Sequence, residues 1–343
     1  MLETHDLAIG YQGRNPQILL EKLQLSLQKG ELTCLLGANG TGKSTLLRTL
    51  AGLQKPLKGQ IFWQGQSLLQ IAKKKRAQLI SLVLTEALTT ERLTVGELVS
   101  LGRYPHTNWV DSHSETDQII IAKALQATGI AHLAGQPFFA LSDGQKQKAL
   151  IARALAQDGG AILLDEPTAH LDWVSRYEVI LNLRQVAQRQ QKAILVSTHE
   201  LSLALQQAHR LWLITPEKKL LVGLAEDLAL DGSLANFFPH QHFVFEAHTG
   251  NFLLKNTPTF APFLEGDPLA TYWAEVALQK TSLSPLFFQE KEIKICAEKH
   301  QNAFLWQAAG TWRQVESPQT FESLSELIAF LSKENDRKDS LTA

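Results

Sequence analysis

An eight-residue stretch, Gly37-Ala38-Asn39-Gly40-Thr41-Gly42-Lys43-Ser44, restricts the possible folds of this 343-residue chain more than anything else in it. It ends the apolar run Glu31–Gly37, which reads as a buried strand, and it opens a helix that starts near Lys43 and carries Leu46, Leu47 and Leu50. A strand, a glycine-rich loop and a helix N-terminus in that order make a phosphate-binding P-loop. The glycines let backbone N–H groups close on phosphate oxygens where a side chain would obstruct them, and the helix terminus adds positive partial charge. Lys43 then serves as the cation for β- and γ-phosphates, the Ser44 hydroxyl as a ligand for Mg2+, and Thr45 extends the ATP-binding set into the helix.

A second apolar strand, Ala161-Ile162-Leu163-Leu164, delivers two carboxylates, Asp165 and Glu166, at its C-terminal edge. Alone, such a strand is common. Behind a P-loop, it sets Asp165 to hold Mg2+ through water and Glu166 to orient or deprotonate the water that attacks a γ-phosphate. Further strands are expected at Thr4–Tyr11, Lys22–Gln28, Gly59–Gln64, Leu79–Leu84 and Ala193–Ser197, with helices at Gly144–Gln157 and Trp173–Arg189. This alternation predicts an α/β fold with a mainly parallel sheet, beside an antiparallel β subdomain near the N-terminus. Residues 86–140 hold the amphipathic stretches Thr94–Leu101 and Glu115–Thr128 and read as an inserted helical subdomain.

The motif-bearing part, residues 1–240, is one expected domain. Residues 241–343 form the other, a small α+β domain with no assignable role. Pro258, Pro262 and Pro268 mark its loop-rich opening. A helix at Leu269–Gln279, strands at Glu292–Ala297, Ala303–Ala308 and Trp312–Glu316, a turn at Gly310, a helix at Thr320–Ser332 and a frayed polar tail from Lys333 complete it.

A net charge of −1 gives no pull toward nucleic acid or an anionic membrane. No apolar run reaches the roughly 18 residues of a membrane span, and the N-terminus lacks a signal-peptide pattern. A transport role therefore requires the membrane part in another chain. The two cysteines, Cys34 and Cys296, show no metal-site spacing and fit a reducing cytoplasm. Cys34 reads as a buried, inert thiol. Lys73-Lys74-Lys75-Arg76 reads as a solvated helix face, and the seven tryptophans as core packing.

Leu141-Ser142-Asp143-Gly144-Gln145 opens a helix and resembles the LSGGQ signature of ABC ATPases. Other elements resemble that family in the same order. Ala169-His170-Leu171-Asp172 is similar to its D-loop, and Ser197-Thr198-His199-Glu200 to its switch-histidine motif. Tyr11, in Ile9-Gly10-Tyr11-Gln12, stands where the family stacks an aromatic on adenine. The resemblance implies an ABC-type P-loop NTPase that hydrolyses ATP with Mg2+ and works as a homodimer. Ser142, Asp143, Gly144 and Gln145 would face ATP held by the opposite subunit, Asp172 would lie at the seam, and His199 would contact the γ-phosphate. It further implies integral membrane permease subunits as partners, a substrate-binding protein as an indirect one, no nucleic acid, and a peripheral place on the cytoplasmic face of the membrane.

Residues 1 to about 230 resemble the ATPase subunits of importers for iron–siderophore complexes, haem and cobalamin. The stretch Leu93–His106 carries that subgroup match. The alternatives are a soluble ABC ATPase acting on ribosomes or DNA, and an exporter subunit. A single P-loop, a single signature and no long heptad insert count against the first. Two positions depart from the family. Glu86, in Val83-Leu84-Thr85-Glu86, replaces the usual glutamine; it could ligate Mg2+ through oxygen, while its charge beside Asp165 and Glu166 could slow hydrolysis. Asp143 replaces the middle glycine of the signature. Its carboxylate would repel phosphate and is expected to turn aside.

Overall fold

The computed structural model of the chain describes residues 1–13, 16–84, 93–107, 114–169, 171–237, 243–246, 250–254, 260–300, 303–310 and 318–339. Two compact units emerge: residues 1–240 with 245–252, and residues 241–244 with 253–343. The expected boundary near 240 therefore differs by one short segment, residues 245–252, which belongs with the first unit.

In chain order the first unit contains β1 (Leu2–Tyr11), β2 (Gln17–Leu23), β3 (Ser26–Leu27), β4 (Leu32–Leu36), α1 (Lys43–Leu50), β5 (Lys58–Trp63) and β6 (Gln66–Ser67). Next come α2 (Lys73–Leu79), β7 (Ile80–Val83), α3 (Val95–Ser100), α4 (Glu115–Ala127), α5 (Asp143–Ala156), β8 (Ala161–Asp165), α6 (Trp173–Gln190) and β9 (Ala193–Thr198). Then follow α7 (Leu201–Gln207), β10 (Arg210–Ile214), β11 (Leu220–Gly223), α8 (Ala225–Leu230) and α9 (Ser233–Phe237). β12 (Phe243–Glu246) and β13 (Asn251–Leu254) pair as a separate two-stranded sheet.

The central sheet runs β11-β10-β4-β9-β8-β7. Its pairs are parallel except β10 with β11. Both faces are buried. Leu32, Cys34 and Leu36 of β4 pack in one core with Ile162 and Leu164 of β8 and Ile194 and Val196 of β9. Leu35, Leu163 and Leu195 pack in the other, with Leu46, Leu47 and Leu50 of α1. Period-two alternation thus sends every second apolar side chain to the opposite face, and this explains the uninterrupted apolar runs. A sheet in the order β2-β1-β5-β6 is the antiparallel subdomain, with β3 also on β1.

The helices α3, α4 and α5 each begin on a capping box: Thr94 with Glu97, Ser114 with Asp117, and Ser142 with Gln145. Buried Arg103 ties the helical part together. Its Nε lies 2.7 Å from Asp117 Oδ1, and its guanidinium donates to Ala156 O at 2.9 Å. Cys34 is buried, and desolvation pushes its thiol up to about 12, so it is inert as expected. Lys73, Lys74 and Lys75 of α2 are exposed.

Several local expectations are corrected. The strand expected at Lys22–Gln28 begins at Gln17 and ends at Leu23, because pairing with β1 (Ile9 with Leu20, Gly10 with Ile18) decides it. Trp63, Trp212 and Trp306 are core residues, but Trp173 and Trp273 are exposed.

The second unit contains β14 (Leu264–Gly266), α10 (Pro268–Leu278), α11 (Pro285–Glu290), β15 (Lys294–His300), β16 (Ala303–Ala309), β17 (Gln319–Phe321) and α12 (Leu324–Asp339). Its sheet runs β14-β15-β16-β17 over a core that includes Phe260, Phe288, Ile295, Trp306, Leu327 and Leu331. Residues 320–321, expected to start the last helix, belong instead to β17 and pair with β16. The helix itself continues past Lys333 to Asp339, since Lys, Glu and Arg favour a helix once Leu327 and Leu331 anchor it. The strand expected at Trp312–Glu316 lies outside the described residues.

Candidate functional site

The P-loop bends where its glycines permit. Gly40 has φ +78° and Gly42 φ +106°, a region that side chains rarely adopt. Gly42 is also the N-cap of α1 and offers no side-chain cap, so the first-turn N–H groups have no side-chain acceptor at that end. Gly37, Ala38 and Thr41 shape the loop from within. Lys43 Nζ donates to Gly37 O at 2.8 Å and to Ala38 O at 3.4 Å, and the Thr41 hydroxyl donates to Ala38 O at 2.8 Å.

Parallel strands bring the second half of the site alongside. β8 lies between β7 and β9, and β9 pairs with β4, so the C-terminal ends of β4, β8 and β9 are neighbours. A pocket of 260 Å3 results, lined by Tyr11, Asn39, Gly40, Gly42, Lys43, Ser44, Thr45, Asp165 and Glu166. Lys43 Nζ is 3.3 Å from Glu166 Oε1. His199 lies just beyond, its Nδ1 3.9 Å from Glu166 Oε2. Tyr11, at the rim of this pocket, is 55% exposed. Asp165 is buried.

Glu166 carries an unusual backbone. Its φ is +46°, which costs a non-glycine residue about 1–2 kcal/mol. The Ser197 hydroxyl accepts its N–H at 2.9 Å and donates to Asp165 Oδ1 at 2.7 Å. The turn after β9 is braced as well. Glu200 N–H donates to the Thr198 hydroxyl at 3.1 Å, and Arg176 pairs with Glu200 at 3.0 Å.

The signature residues lie elsewhere. Ser142, Asp143, Gly144, Gln145, Lys148, Leu171, Asp172 and Ser175 line a separate groove of 370 Å3 that shares no residue with the P-loop pocket. Ser142 and Gln145 cap one another at the start of α5. Asp143 is largely exposed, with Oδ1 3.7 Å from Lys146 Nζ, so its carboxylate has a cation on its own helix. Asp172 caps α6; the Ser175 hydroxyl, then the Ser175 N–H, hold its carboxyl below the usual range. Glu86 and His170 lie outside the described residues. A further groove, of 710 Å3 between β2 and the β10–β11 turn, contains none of the expected site residues.

Sequence reasoning quoted Ser197 and Thr198 only within the motif around His199, gave them no role, and missed Arg176. A signal existed for Ser197, since it is the first polar residue after the apolar run Ala193–Val196. Its register with Asp165 was not readable from the sequence.

Comparison with known proteins gives the family. Residues 20–169 match the family described as ABC transporter. A petrobactin import ATP-binding protein of Bacillus anthracis is 38% identical over 227 residues, 66% of this chain and 82% of that protein. An iron(3+)-hydroxamate import ATP-binding protein of Bacillus subtilis is 37% identical over 208 residues, 61% of this chain and 76% of that protein. Among solved structures, a dimeric bacterial ABC transporter cassette superposes with a TM-score of 0.55 at 25% identity, over 62% of this chain and 93% of its own.

Proposed function

This chain belongs to the ABC transporter family as an ATP-hydrolysing cassette, and from that membership we propose that it powers an importer through a separate membrane permease. The cargo is an iron–siderophore, haem or cobalamin-type compound, a reading supported for the iron chelates by the import roles in its relatives' names. The chain itself sits peripherally on the cytoplasmic face, and a substrate-binding protein acts on the far side. Among the described residues, no helix is long and apolar enough to cross a membrane.

One observation carries the mechanism: the P-loop pocket and the signature groove are distinct within one chain. A triphosphate that needs both must lie between two copies. The reading is therefore a homodimer in which Ser142, Gly144 and Gln145 of each copy face the nucleotide on the P-loop of the other. Switching between nucleotide states then shifts the dimer between closed and open forms and moves the permease.

Mg2+ suits the donor set. The Ser44 hydroxyl and the Asp165 carboxylate share the pocket; Ser44 would ligate the ion and Asp165 would hold it through water, both as hard oxygen donors. When bound, the ion neutralises charge on the β- and γ-phosphate oxygens. The chain does the rest. Lys43 meets the phosphates, Tyr11 covers the adenine, Glu166 orients the attacking water or takes its proton, and His199 responds to the γ-phosphate from the next strand.

Uptake tests the cargo. A strain lacking the chain should lose accumulation of radiolabelled iron chelates, haem or cobalamin. The wild-type gene should restore it, and Lys43→Ala should not. Unchanged uptake of every compound would rule out the importer assignment while leaving ATP hydrolysis intact.

A further inference from the structure

We propose that Ser197 is a positioning residue for ATP hydrolysis, because its one hydroxyl holds both Asp165 and Glu166. The proposal rests on the roles given above to those two carboxylates.

β8 and β9 pair in parallel with Asp165 opposite Ser197. Ser197 is fully buried, at the end of an otherwise apolar run. Its hydroxyl accepts the Glu166 N–H at 2.9 Å and donates to Asp165 Oδ1 at 2.7 Å. A hydroxyl has one proton, and a carboxylate only accepts. The direction of both bonds is therefore determined: N–H to hydroxyl, hydroxyl to carboxylate.

Two consequences follow for the chemistry. The Asp165 carboxylate is oriented through Oδ1. The backbone of Glu166 is also held at φ +46°, which other residue conformations would not favour. Its side chain leaves that turn toward Lys43, 3.3 Å away, and His199, 3.9 Å away. Without the hydroxyl, the Glu166 N–H loses its acceptor and the turn can relax to negative φ. The carboxylate would then swing away from Lys43 and His199. Ser197 does not line the P-loop pocket, so it acts through its two partners.

The test compares Ser197→Ala and Ser197→Thr with wild type and Glu166→Gln, all checked for folding by circular dichroism. Three quantities are read: kcat, affinity for a non-hydrolysable ATP analogue with Mg2+, and hydrogen exchange at the Glu166 amide without added nucleotide. In Ser197→Ala, kcat should fall at least ~10-fold and Glu166 exchange should quicken ~10-fold, with analogue affinity unchanged within ~3-fold. Ser197→Thr keeps the hydroxyl and should approach wild type in all three. If Ser197→Ala does not fold, Ser197→Cys keeps the volume with a much weaker hydrogen bond, and the same expectations apply. Wild-type kcat in the variant overturns the proposal. So does slow turnover with a Glu166 amide as protected as in wild type, or a Thr variant no better than Ala. Glu166→Gln separates the two levels. If it turns over normally, the reading of Glu166 fails; if it stalls while Ser197→Ala does not, only the assignment of Ser197 fails.

Discussion

Lys43 Nζ lies 3.3 Å from Glu166 Oε1, so the cation of the P-loop and the carboxylate at the end of β8 neutralise each other across the pocket. Both are shielded, with side chains 6% and 24% exposed. A triphosphate that enters must compete with Glu166 for the ammonium.

Glu166→Gln separates binding from turnover. An amide holds Lys43 less strongly than a carboxylate, so ATP affinity should equal or exceed wild type. Loss of the base should slow hydrolysis by about 10²–10⁴-fold. Titration and single-turnover assays read the two effects separately. Turnover near wild type would remove Glu166 from the base role.

Lys43→Ala should abolish productive ATP binding. The ammonium offsets phosphate charge, and it also bonds to Gly37 O and Ala38 O, so the loop loses an internal brace. Isothermal titration with unchanged ATP affinity would contradict the assignment of the loop.

Asp117→Asn should weaken the helical part in a pH-dependent way. The Ser114 hydroxyl, then the Arg103 guanidinium, hold the Asp117 carboxyl at about 2, below its ordinary 3.8. A depressed folded pKa means the stabilisation is complete above about pH 4 and is lost as pH falls toward 2. At neutral pH the variant should melt roughly 3–8 °C lower, because buried Arg103 loses its counter-charge. Melting curves from pH 7 to pH 2 should show the gap closing below pH 4. A gap independent of pH would rule out the ion pair as its source.

Removal of the second unit should leave ATP hydrolysis intact, provided the cut falls after residue 252. Every motif lies before residue 201. Residues 245–252 belong to the first unit, and Phe245 is buried in its core with Leu228, Leu234 and Phe237. A cut at 240 should therefore be less stable than a cut at 252, by an amount typical of losing a buried phenylalanine, about 3–5 kcal/mol, read from denaturant unfolding. A folded but inactive chain ending at 252 would show that the second unit takes part in hydrolysis.

The amino-acid sequence by itself determined the elements that frame the P-loop and the strand ending in Asp165-Glu166, and it named the candidate reacting groups; it did not reveal β10 and β11 of the central sheet. Apolar runs and glycine spacing are local signals, and the P-loop and Asp165-Glu166 could be read from them, while the signature and His199 rested on resemblance to a family. Tertiary structure decided what depends on pairing between distant segments. It set β2 at Gln17–Leu23, gave residues 319–321 to a strand, and returned residues 245–252 to the first unit. It also brought Ser197 opposite Asp165, which no spacing along the chain could show, since their register exists only in the parallel ladder. Local propensity specifies which segment forms a strand. Which residue faces which is settled by long-range packing on both sides of the sheet, and that is where the brace on Glu166 arises.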